Sequence, residues 1–99
     1  MYSNVWKPTP RMITAPQMRA ARALLGMDQR TLAQSAGVSV PTIQRMEASD
    51  GQVRGTVDSL AKVVAALDAA GVELIGEHAP SQAEGRGVRL KATRERLLP

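Results

Sequence analysis

The chain has no cysteine, no phenylalanine and a single histidine in 99 residues. Without thiols there is no disulfide framework, no zinc ribbon and no cysteine nucleophile. His78 alone cannot build a histidine-rich metal site or a triad, so no cofactor is expected and an enzyme is a poor reading. No apolar run approaches the roughly 18–20 residues that a membrane span needs. Met1 to Ile13 lacks the apolar stretch of a secretory signal, so a cytoplasmic protein without a membrane partner is expected. Aromatic side chains are confined to Tyr2 and Trp6, in an N-terminal stretch with no periodicity.

What remains is ordinary for a small globular domain with a tail: 43% hydrophobic and 22% charged residues. Thirteen bases against nine acids give a net charge of +4, and ten of the bases are arginine. The charge is unevenly placed. Six bases face one acid in residues 1–45, two face seven in 46–84, and five face one in 85–99. A basic N-terminal half suits a polyanion, and arginine suits phosphate and guanine.

Residues 1–13, with Pro8 and Pro10, read as an extended arm. Helical patterning starts at Thr14, where Thr14-Ala15-Pro16-Gln17 spells a capping box with proline in the first turn. Met18, Ala21, Leu24 and Leu25 form its apolar spacing, and Gly26 stops it. A second helix runs from Asp28 through Leu32, Ala33 and Ala36 to Gly37. A third starts near Ser39 and turns Ile43 and Met46 inward; Pro41 disfavours α geometry at Val40, which predicts a start at Pro41. A loop over residues 50–55 precedes a fourth helix capped by Thr56, with Val57, Leu60, Val63, Val64 and Leu67 in one stripe and Gly71 at its end. Met12, Met18, Met27 and Met46 read as core or near-core filler, not a cofactor box. Beyond Gly71, Val72 to Ile75 and Val88 to Lys91 are short, β-prone and roughly alternating, which predicts a long-looped β-hairpin. Residues 92–99 carry no clear pattern.

The second and third helices join through a very short turn, which imposes its own sterics. A small residue is needed where the helices cross, and Ala33 occupies that position. A residue tolerant of positive φ is needed in the turn, and Gly37 lies four positions on. Counted from Gln29, apolar residues fall at positions four, eight, ten, fifteen and eighteen: Leu32, Ala36, Val38, Ile43 and Met46. Taken together, Gln29 to Glu47 resembles the Cro/repressor helix-turn-helix family, also called the xenobiotic-response-element family. The likeness runs from about Gln17 to Ala70 and covers neither the arm nor the hairpin. The expected fold is mainly α: a four- to five-helix bundle with a helix-turn-helix over residues 14–71, then a hairpin over 72–91 and a tail over 92–99.

The resemblance implies double-stranded DNA as partner, with the third helix in the major groove. It places Val40, Pro41, Gln44 and Arg45 towards bases, Arg45 being the residue suited to bidentate contact with guanine. Val40 and Pro41 replace polar residues common in the family, so only apolar readout, against a thymine methyl for example, is open to them. It places Gln29, Arg30, Thr42, Arg54, Gly55 and Thr56 towards phosphates, and pairs Arg22 with Glu47 as a structural ion pair. Asp50 puts an acid near the phosphate track. Arg19 and Arg30 read equally well as solvated helix faces.

The implied function is a sequence-specific transcriptional regulator of bacterial or phage origin, a repressor that binds a palindromic operator as a homodimer. Alternatives are an antitoxin that also binds its own promoter, with a toxin as partner, and an activator contacting RNA polymerase. One recognition helix makes few base contacts, so two copies must be joined. Val72 and Leu74 would share one hairpin face with Val88 and Leu90, making residues 72–91 the candidate dimerisation element.

Overall fold

A computed structural model describes residues 13–51 and 53–92. The arm expected over residues 1–13 and the tail expected over 92–99 thus lie outside the described residues, Ile13 and Ala92 excepted, and so does Met12. Among the described residues four helices follow in order: α1 (Ala15–Leu25), α2 (Gln29–Ala36), α3 (Val40–Glu47) and α4 (Val57–Ala69). None is long and apolar enough to cross a membrane.

Local chemistry sets the helix starts. Thr14 Oγ1 accepts the Gln17 amide at 3.2 Å, while Gln17 Oε1 accepts the Thr14 amide at 2.8 Å, completing the capping box. Asp28, Ser39 and Thr56 cap α2, α3 and α4 in the same way, each taking an amide of the first turn. The third helix begins at Val40 rather than Pro41. Proline within the first turn lacks only an N–H that would have no intrahelical acceptor, and the Ser39 cap offsets the unfavourable geometry at Val40.

Apolar side chains from all four helices meet in one core. Met18, Leu32, Ile43, Met46, Val63 and Leu67 are fully buried, with Ala15, Ala21, Ala33, Ala36, Val53 and Leu60 filling between them. Each large aliphatic side chain stabilises the fold by roughly 1.5–3 kcal/mol through burial alone. Ile13 joins this core, so packing reaches at least one residue ahead of the predicted cap. Met27 packs at its edge. Leu24 and Val57 depart from the expected stripes and are 58% and 74% exposed. Leu24 is the last but one residue of α1 and Val57 the first of α4.

The expected hairpin is absent: among the described residues no strand pairs Val72–Ile75 with Val88–Lys91. Val72 and Leu74 instead pack against the helical core, and Gln17 Nε2 donates to the Ile75 carbonyl at 2.9 Å. Side-chain bonds close the following loop. Glu73 accepts from the Ser81 hydroxyl at 2.6 Å and the Gln82 amide at 2.8 Å, and the Ser81 bond holds its carboxyl below the ordinary value. Arg89 donates to the Ala79 carbonyl at 2.6 Å. A two-stranded ribbon alone is marginal in water, whereas the helices offer Val72 and Leu74 a preformed apolar surface. Val88 and Leu90 are left 83% and 64% exposed.

Candidate nucleic-acid interface

The turn between α2 and α3 is built on Gly37, whose φ of 74° lies in the left-handed region. Its amide donates to the Ala33 carbonyl at 2.9 Å and the Val38 amide to the same oxygen at 3.0 Å, which ends α2 and turns the chain into α3 within three residues. α3 then crosses with Ile43 and Met46 inward and Pro41, Gln44 and Arg45 exposed. Val40 is half-buried and packs partly against the core, so only its outer part faces solvent. Half-buried Thr42 shares a hydrogen bond of 2.8 Å with the Ser39 hydroxyl and accepts one from Arg45 Nη2 at 3.4 Å. These contacts lay the Arg45 guanidinium along the outer face of α3.

A buried carboxylate fixes the orientation of that helix. Glu47 is 6% exposed. Arg22 Nε and Nη2 reach its two oxygens at 2.6 and 2.7 Å, and Gln29 Nε2 donates to Oε1 at 3.0 Å. Arg22 therefore grips both oxygens in a fork, joining α1 to α3, while Gln29 joins α2 to the same group. Burial pushes the Glu47 carboxyl upward. The bonds from Arg22 and Gln29, with the Arg22 and Arg19 charges, outweigh it and leave Glu47 below the usual carboxylate value. The Arg22 guanidinium is raised, chiefly by its bond to Glu47.

Arg19, left open by the sequence, has a defined place: Nη1 donates to the Glu47 carbonyl at 2.6 Å. It puts positive charge at the C-terminus of α3, where exposed carbonyls favour it. The Arg19/Arg22 spacing of three was the available signal, because it sets both on one face of α1.

Between α3 and α4 the loop is tied down by hydrogen bonds and by close packing. The Ala15 amide donates to the Gly51 carbonyl at 2.8 Å, and the Val53 amide to Ile13 at 3.2 Å. Gly55 comes so close to α3 that a Cβ there would meet the Met46 methyl at 3.0 Å. Ser49 Oγ donates to the Arg45 carbonyl at 3.2 Å and accepts the Arg54 amide at 3.0 Å. An open groove results, lined by Arg45, Ala48, Ser49, Asp50, Arg54 and Gly55. It brings Arg45 and Arg54 to one surface, with Asp50 beside them. Arg54, Gly55 and Thr56 are exposed, as is Arg30 on α2, whereas Gln29 is half-buried with its amide spent on Glu47. Ser49 was missed from sequence because its partners are backbone atoms, which no residue pattern encodes. Among the described residues no group of histidine, aspartate or glutamate could hold a metal ion.

No curated protein and no solved structure matches the chain. The helix-turn-helix family profile matches residues 18–73, more than half of the sequence and all of the braced α2–α3 unit. The chain therefore belongs to the Cro/C1-type helix-turn-helix family of DNA-binding transcription regulators.

Proposed function

We propose that the protein is a repressor that reads a two-fold symmetric operator as a homodimer, with α3 in the major groove. One observation supports the DNA-contact part of this reading: Arg45 and Arg54, from the recognition helix and the loop behind it, line one open groove. Arg45 serves as the guanine reader, Gln44 as a second base contact, and Pro41 with the outer part of Val40 as apolar contacts to thymine methyl groups. Arg54, the exposed amides of Gly55 and Thr56, Thr42 and Arg30 serve the phosphates, and Gln29 braces α3 through Glu47 while lying near the same backbone. A domain bound across a promoter represses by occlusion.

Two copies supply the contacts that one recognition helix lacks. Val72 and Leu74 are spent on the core, so of the four residues expected to join two copies only Val88 and Leu90 remain free for that role. Selection of bound duplexes from a random library, with sedimentation of the protein on the winner, tests the reading. An inverted repeat with half-sites about 34–36 Å apart and two chains per duplex is expected. An asymmetric site occupied by one chain overturns the dimer and the palindrome.

A further inference from the structure

We infer that Ser49 is a positioning residue for DNA binding: it locks the phosphate-contacting Arg54 to the end of the recognition helix. The inference rests on the reading of Arg54 as a phosphate contact. Ser49 lies just past the α3 C-terminus, half-buried, with one hydroxyl making two bonds of opposite sense. Its hydrogen goes to the Arg45 carbonyl at 3.2 Å, and its lone pair takes the Arg54 amide at 3.0 Å. The base-reading and phosphate-reading arginines are thereby joined through a single oxygen, backbone to backbone.

Other tethers do not replace this link. The exchange between Ile13–Ala15 and the loop fixes Gly51 and Val53, and Gly55 rests on Met46. Arg54 lies between those anchors, exposed, with its amide on Ser49. A hydroxyl suits the task because it donates and accepts at once. Losing it leaves the Arg54 amide without its link to α3, so the backbone at Arg54 is held less tightly and the guanidinium must then be ordered during binding.

A double-mutant cycle tests the inference on the full chain, with a short random-sequence duplex as probe, because phosphate contacts carry no sequence information. Arg54→Ala should lower affinity about tenfold and reduce the log–log salt slope by about 0.9. Ser49→Ala should reproduce most of that loss while the thermal melt stays cooperative. Ser49→Thr, which restores the hydroxyl, should restore affinity. In the Ser49→Ala background Arg54→Ala should cost less than about twofold, because the two residues act as one unit. An equal cost of Arg54→Ala in both backgrounds overturns the lock. No cost of Arg54→Ala in the parent overturns the phosphate role of Arg54, and the lock with it. Ser49→Gly removes the same oxygen and serves the same cycle if the alanine variant does not fold.

Discussion

Replacing Arg22 with alanine isolates a buried charge. The Glu47 side chain is 4% exposed, and with Arg22 gone its carboxylate keeps the Gln29 amide as its side-chain donor. Removing one member of a buried pair costs about 3–5 kcal/mol, and the 20% exposure of Arg22 with the surviving Gln29 bond brings the expected loss to roughly 2–4 kcal/mol. In a domain of this size that lowers Tm by on the order of 10–25 °C. The pH dependence carries the sign. In the parent protein Glu47 titrates below its unfolded value, so its contribution is complete above that value, near 4.5, and is lost as pH falls through the lower folded one. Without Arg22 the same carboxyl stays desolvated and keeps only the Gln29 bond and the Arg19 charge, too little to offset burial, which should raise its folded pKa above the unfolded one. The ionised form then opposes folding at neutral pH, and protonation removes the penalty. The deficit of Arg22→Ala should therefore be largest near pH 7 and shrink on acidification towards pH 4, read by denaturant unfolding at each pH. Replacing both residues with leucine should cost far less than the sum of the single replacements. A deficit under about 1 kcal/mol that stays flat with pH would refute a buried, charge-paired Glu47.

Gly37→Ala meets open space at its Cβ but must hold a φ of 74°, so a loss of roughly 1–2 kcal/mol by thermal melting is expected without repacking. Arg45→Ala should cost about 1–3 kcal/mol on the selected operator and relax preference at one base pair per half-site, whereas Arg54→Ala should weaken all sequences alike; binding profiles over a variant-site library separate the two. Asp50→Asn removes the acid from the groove that holds Arg45 and Arg54, so binding to any duplex should tighten about two- to fivefold at low salt, with the gain fading as salt rises.

The parts of the fold that short-range chemistry dictates were legible in the sequence. The Thr14–Gln17 capping box, the caps at Asp28 and Thr56, and the left-handed Gly37 are local requirements met by particular residue types, whereas the start expected at Pro41 missed Ser39 as the cap of α3. The Arg22–Glu47 pairing came through family likeness, because no local rule joins residues 25 positions apart. The hairpin failed because alternation in Val72-Glu73-Leu74 marks an apolar face without naming its partner, and the helices claimed it. Ser49 stayed hidden, and Arg19 stayed open despite its spacing from Arg22, because their partners are backbone groups whose positions exist only once the chain has folded.

On the proposed reading, DNA meets the outer face of α3 and the loop behind it. Amide and side-chain chemical shifts of the labelled protein, followed by NMR while the selected duplex is added, test it residue by residue. Perturbation should concentrate at Thr42, Gln44, Arg45, Ser49 and Arg54 to Thr56, fade as salt is raised, and leave the exposed side of α4 around Ala65 to Ala69 unchanged. Perturbation centred on α4 or on Val88 to Leu90, with Gln44 and Arg45 unmoved, would contradict it.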